Sequence, residues 1–338
     1  MTRPTRDMDA RESRLDELRD EARRTGRVTA PGARIEGGPL PGYYGRPVVK
    51  PPVWTWEVPL YFFVGGLAGM ASVLALAATI ADLDAALEGA GEIGRLVRAA
   101  RWLAAAGAAV APILLILDLG RPARFLNMLR VFKWRSPMSV GAWVLAAYGG
   151  AAWIAAVAPW AIDRWGAGPL PVVAWEGIAL AATAGAGLLG AALATYTGVL
   201  LGATAIPAWF AHHKGLPVHF GVAGLGSAAA ALELLGFRVA PLHAIGLAAA
   251  AIETGFGAWI ELHRHGPVDR ALREGPSGLL LRGAGFLAGP TALALRLVGL
   301  VPWAAGAFLV GALLSRYGWV AAGHASGRDP EATFAAQR

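Results

Sequence analysis

From Trp56 onward the chain falls into eight long apolar runs, near 58–81, 99–118, 138–160, 174–206, 218–236, 240–262, 279–299 and 300–320. About 20 apolar residues in helical geometry cross the ~30 Å hydrocarbon core of a bilayer. The pattern therefore predicts an all-α integral membrane protein with about eight transmembrane helices. The runs are too long and too poor in charge for the buried helices of a water-soluble core. Run seven is interrupted by Arg282, Pro290 and Arg296, and only Gly299–Pro302 separates it from run eight. A broken or re-entrant pair there is the alternative to two full crossings. Gly65 and Gly69 stand four apart on the first run, the spacing at which small residues let helices approach closely in lipid.

Residues 1–50 follow another pattern. They carry eleven Arg or Lys and eight Asp or Glu, and Gly and Pro dominate from Pro31 to Pro52. Glu12–Arg24 has the i,i+4 charge pairs of a surface helix, but its apolar stripe is only Leu15 and Leu18. The organisation expected is a polar, mobile tail over 1–50, a transmembrane domain over 51–325 and a short tail over 326–338. No apolar segment directly follows the basic start, so no cleavable signal peptide is expected.

Composition narrows the function. Hydrophobic residues make up 56% and charged residues 16%, against about 25% charged in globular proteins, and mean hydropathy is +0.49. A soluble enzyme, a disordered chain and a coiled coil are excluded. The absence of cysteine removes disulfides, thiol chemistry and self-ligated iron–sulfur clusters. A redox centre with sulfur ligands must then belong to a partner.

The net charge of +7 reads first as a nucleic-acid footprint, but its distribution points to the membrane. With eight crossings, one face holds Arg46, Lys50, Arg121, Arg124, Arg130, Lys133, Arg135, Lys214, Arg264, Arg270, Arg273, Arg316 and Arg328. The other holds Arg95, Arg98, Arg101, Arg164, Arg238 and Arg296. Thirteen against six favours cytoplasmic termini, and no nucleic-acid partner is expected.

A charge in hydrocarbon is costly and usually paired or functional, so each polar side chain in a span carries information. Glu57 and Tyr61 lie one turn apart on one helical face, with Trp54 and Trp56 before them. They form either an interfacial acid within an aromatic belt or a carboxylate and phenol serving a quinone carbonyl and its proton. Asp118 and Arg121, three apart at the end of the second span, close a helix end or hold a ligand. Ser136-Pro137 has the form of an N-cap followed by proline at the first helical position. Tyr196, roughly 16 Å deep counting back from Pro207 at 1.5 Å per residue, needs a partner for its phenol. Glu253 has similar depth from the same side, whereas Glu176 and Glu233 lie towards the other face. Gly185-Ala186-Gly187-Leu188-Leu189-Gly190 matches a dinucleotide fingerprint, but it is mid-span with no strand before it, which makes it close helix packing. The histidines fall at span ends, against haem ligation, and no carboxylate or cysteine joins His212, His213 and His219 to make a zinc site. No metal site is expected.

Several stretches, in order, resemble one family. They are Tyr43–Gly69 (YYGRPVVKPPVWTWEVPLYFFVGGLAG), Asp118–Phe125 (DLGRPARF), Ser136–Trp143 (SPMSVGAW), Tyr196–Leu201 (YTGVLL), and Arg316–Gly323 (RYGWVAAG) followed by Asp329-Pro330. Together, over about residues 43–331, they resemble the NrfD-like membrane subunits of polysulfide reductase (PsrC type). The resemblance implies two four-helix bundles without haem or an iron–sulfur cluster on this chain. It also implies a quinone or quinol site (menaquinone or ubiquinone) near one membrane face. A ferredoxin-like subunit with four [4Fe–4S] clusters would dock there and lead to a catalytic oxidoreductase, molybdopterin-dependent in many relatives. Carried over by motif, Tyr61 takes the first-helix polar position, a histidine in some relatives, and Tyr196 the fourth-helix tyrosine.

The expectation is thus a quinone-reactive subunit in a bacterial inner membrane. Tyr61, Tyr196, Arg121 and Trp56 would be at the quinone, and Glu57, Asp118 and Glu253 would move protons. Some relatives place partner and N-terminus in the periplasm, opposite to the charge count. A small-solute or ion transporter and a passive anchor for a redox complex are the competing readings.

Overall fold

The computed structural model describes residues 49–50, 52–119, 124–166, 168, 170–263 and 266–336. The expected tail over 1–50 lies almost wholly outside the described residues, as does Arg121. Among those described, eight helices are long and apolar enough to cross a membrane. They are α1 (Glu57–Ala81), α2 (Gly91–Asp118), α3 (Pro137–Trp165), α4 (Val172–Gly202), α5 (Gly215–Leu234), α6 (Ala240–Leu262), α7 (Gly275–Leu297) and α8 (Val301–Gly327). Helices α1–α4 pack as one four-helix bundle and α5–α8 as a second, with α1 and α4 packed against α5 at the junction.

Several helix ends differ from the apolar runs, and two features, the start of α2 and the interior of α7, have a local physical cause. Helix α2 starts eight residues before its apolar run, because Gly91–Val97 continues the helix into the interfacial zone with Glu92 and Arg95 on board. Run seven is a single crossing rather than a re-entrant pair. Pro290 cannot donate its backbone bond, and the helix answers by widening into a π turn over Leu287–Thr291 before resuming at Ala292. The N-cap at Ser136 is present, its side chain accepting from the Ser139 amide with Pro137 at the first turn. Asp329 likewise caps Pro330–Ala335, and its carboxylate also receives Arg270 at 3.3 Å, tying the α6–α7 connection to the C-terminal turn.

Lipid offers no hydrophobic drive for helix association, so backbone proximity must come from small residues. A Cβ at Gly69 would lie 2.4 Å from the Gly190 carbonyl oxygen, and one at Gly190 would lie 2.4 Å from that of Gly69. Backbone therefore touches backbone where α1 crosses α4. One turn earlier Gly66 performs the same role against Gly224 of α5, whose Cβ would come within 2.9 Å of the Gly66 carbonyl. The GAGLLG segment is thus helix packing, with Gly190 at the crossing and Gly187 over Leu76.

Charges within the bundles are paired or tightly packed. Arg296 and Glu233 form a bidentate ion pair at 2.7 and 2.6 Å with both side chains buried. Gly246 makes room for it, since a Cβ there would lie 2.1 Å from the guanidinium carbon. Glu233, read from the sequence as an acid near the water, is instead an internal partner. Arg316, counted on the basic face, is buried at the bundle junction. Its guanidinium lies over the Phe220 ring, 3.6 Å from the centroid, and donates to the Phe220 carbonyl at 3.0 Å.

The Gly69 contact leads to a contrast inside one motif. Gly69→Ala pushes a methyl into backbone that cannot rotate away, and overpacking of this kind costs about 1–3 kcal/mol. Gly65→Ala meets only side-chain atoms at 3.7 and 3.9 Å. Thermal unfolding in detergent should show a clearly lowered midpoint for the first variant and an unchanged one for the second.

Candidate functional site

The sequence-predicted residues divide between two cavities. The first, about 80 Å³, opens within the first bundle at the α1 N-terminus and is lined by Trp54, Val58, Tyr61, Phe62, Leu115, Asp118, Met138, Gly141, Tyr196 and Leu200, among others. Tyr61 and Tyr196 come from α1 and α4, the two helices locked at Gly69–Gly190, and Asp118 comes from the end of α2. Tyr61 is buried, at 3% exposure, and lines this cavity. Tyr196 donates to the Pro137 carbonyl at 2.6 Å. That carbonyl belongs to the first turn of α3, so the Ser136-Pro137 start positions the acceptor. The Tyr196 ring lies directly over Gly141, where a Cβ would be 2.1 Å from the phenol carbon.

The acids lie at the mouth. The Thr55 hydroxyl donates to the Glu57 carboxylate and approaches Asp118 Oδ1 at 3.4 Å, so one threonine links the two half-buried carboxylates. Neither Glu57 nor the Trp56 ring lines the cavity; Trp56 is 56% exposed, and its contribution is a backbone carbonyl that accepts from Tyr317 at 2.9 Å. The tryptophan that does line it is Trp54, stacked on Trp209 with ring centroids 5.3 Å apart. Trp209 in turn donates to the Trp319 carbonyl at 2.7 Å.

Glu253 is not with them. It is buried in the second bundle, on the wall of a larger cavity of about 310 Å³ between α5, α6, α7 and α8. Its carboxylate is 3.1 Å from His219 Nδ1, and His219 Nε2 is 3.0 Å from the Ser315 hydroxyl. Depth alone had grouped Glu253 with Tyr61 and Tyr196; helical order separates them. Sequence reasoning set His219 aside as a span-end histidine, although it begins the second turn of α5 and is 5% exposed. His212 was passed over for the same reason. It is buried just before α5 and lies 3.0 Å from Asp269, which in turn has Arg273 at 3.8 Å. A signal was available for His219, since it and Ser315 stand in otherwise apolar runs, where a lone polar residue needs a partner. The histidines, aspartates and glutamates among the described residues form no group able to hold a metal ion.

Two bundles of membrane-crossing helices, each with polar side chains on the wall of a cavity, define an integral membrane protein. Residues 47–254, more than half of the chain, match the family described as polysulphide reductase, NrfD, and the chain belongs to that family. It is accordingly a multi-pass membrane subunit of a redox complex, of the kind that partners with iron–sulfur and catalytic subunits. The match takes in the first cavity and reaches Glu253, while α7 and α8 lie beyond it. No curated protein matches the chain.

Gly141 gives a direct test of how Tyr196 is held. In Gly141→Ala the new methyl displaces the phenol from Pro137, so amide exchange over residues 137–142 should rise. Gly150→Ala on the same helix, where a Cβ meets nothing within 4 Å, should leave exchange there unchanged.

Proposed function

We propose that the chain is the quinone-reactive subunit of its complex, with the head group of a quinone or quinol entering the first cavity. The observation that carries this reading is the pairing of Tyr61 and Tyr196 across an aromatic-walled cavity whose mouth holds Asp118 and Glu57. A phenol on the wall of an apolar cavity is a ready donor, and a quinone oxygen is an acceptor suited to the Tyr61 hydroxyl. Tyr196 already donates to a carbonyl, so its hydroxyl oxygen is free to accept from a quinol. Bound quinol supplies two electrons and two protons. The electrons have no carrier on a chain without cysteine and pass to a partner. The protons have carboxylates one threonine away, at the aqueous edge.

The donor set fits a quinone head group: two phenols, a short apolar wall of Val58, Leu115 and Leu200, and Trp54 as a stacking edge. Tyr61 and Tyr196 orient it, and Asp118 and Glu57 exchange its protons with water. The partner is a four-cluster [4Fe–4S] ferredoxin-like subunit docked on the basic face, leading to a catalytic oxidoreductase of the molybdopterin type. The setting is a bacterial inner membrane, with the ends of α1 and α8 facing the cytoplasm as the basic residues direct. Glu253 takes no part in first-cavity chemistry, because it faces the other cavity.

Tyr196→Phe and Glu57→Gln, made separately in the intact complex, should each lower quinol-linked electron transfer roughly 10–100-fold while subunit stoichiometry stays the same. A passive anchor would show unchanged turnover in both, and that result would overturn the assignment.

A further inference from the structure

The larger cavity has no role in the chemistry above, yet it is the better-built binding site. Its floor is buried and polar. Glu253, His219 and Ser315, at 4%, 5% and 6% exposure, are linked in one line by contacts of 3.1 and 3.0 Å. Its walls are aromatic. His219 stacks on Phe256 with centroids 4.3 Å apart and planes 12° from parallel, and Trp319 closes the opposite side at 6.3 Å. The rim is exposed, formed by Ala258, Arg282, Phe286 and Pro290.

The rim opens on the outer surface of α6 and α7, where Arg282 pairs with Glu261 at 2.9 Å. Helices α6 and α7 bury the smallest shares of their apolar stretches in the protein, 22% and 28%, so their outer surfaces are left to the bilayer. The α7 π turn falls at this rim, with Gly289 packed onto Thr254 and Pro290 lining the opening. Such π turns recur at functional sites. Here the widened turn stands at the opening of the cavity, through Pro290.

The chemistry of the floor restricts the occupant. A buried carboxylate rejects the phosphate of a phospholipid head group. An imidazole and a hydroxyl beside that carboxylate ask for a ligand that both donates and accepts hydrogen bonds. Apolar walls of Phe256, Leu272, Leu281 and Trp319 ask for a ring, and the apolar part of the rim at Phe286 and Pro290 asks for an apolar tail.

We infer that this cavity is a second membrane-facing site, taking a molecule of the hydroquinone class whose ring lies against the apolar wall of Phe256, Leu272, Leu281 and Trp319. One ring hydroxyl donates to the Glu253 carboxylate, and the Ser315 hydroxyl and His219 complete the set. The inference uses the proposed function only for the class of ligand; the site itself stands on its own geometry.

Equilibrium binding of decylubiquinol to the purified complex, stripped of native quinone and held under reducing conditions, tests it. Wild type should saturate at two probe molecules per chain. Glu253→Gln should weaken one of them about tenfold, the equivalent of one lost hydrogen bond of about 1.4 kcal/mol. Gly285→Phe should abolish the same one, since a side chain there starts in open space within the cavity. Tyr196→Phe should weaken only the other. One probe molecule per chain, indifferent to both Glu253→Gln and Gly285→Phe, would overturn the second site. So would phosphorus analysis showing one phospholipid retained by wild type and lost in Gly285→Phe. If only the first-cavity reading fails, Tyr196→Phe changes nothing and the Glu253-dependent molecule remains.

Discussion

The close crossing of α1 over α4 at Gly69 and Gly190 is the constraint on which the arrangement depends. In lipid, apolar surface gains nothing by leaving one hydrocarbon environment for another, so helices associate through tight packing and internal polar contacts. The crossing fixes how far Tyr61, two turns before Gly69, lies from Tyr196, less than two turns beyond Gly190. The same helix meets α5 through Gly66 and Gly224, which sets the second bundle at a defined place beside the first. Removing the glycines would therefore alter both the site geometry and the joint between bundles.

Within that frame, polar groups are satisfied in two ways that correspond to two roles. Glu233 and Arg296 form a bidentate pair that fixes α5 to α7. Buried pairs of this kind specify geometry, and breaking one side costs about 3–5 kcal/mol. Tyr61 in the first cavity and the Glu253–His219–Ser315 line in the second face open space instead. An aromatic series joins the two cavities, from Trp54 through Trp209 to Trp319, so the bundles share one continuous packed interior.

Much of the fold was legible because the bilayer imposes length and polarity directly on sequence. The eight runs, the Ser136 cap and the packing roles of Gly69, Gly187 and Gly190 all follow from local rules and are present in the structure, whereas Gly65 and Gly185 make only ordinary contacts. Tertiary pairing was not legible. Depth along a helix can be counted, but azimuth and neighbour cannot, so Glu253 was grouped with residues that line a different cavity. Trp56 and Trp54 differ by two positions and point to different surroundings, a distinction that depends on how the chain enters α1. Arg296 looked like a disruption of run seven because its partner Glu233 is 63 positions away. Run seven looked broken because proline signals a lost hydrogen bond but not the π turn that absorbs it.

The central claim is the location of the quinone head group, and photo-crosslinking reads it most directly. An azido-quinone activated on the intact complex, followed by peptide mapping, should label the walls of the first cavity at residues 54–62, 138–142 or 196–200. Labelling confined to α6 and α7, with the first cavity untouched, would contradict the account.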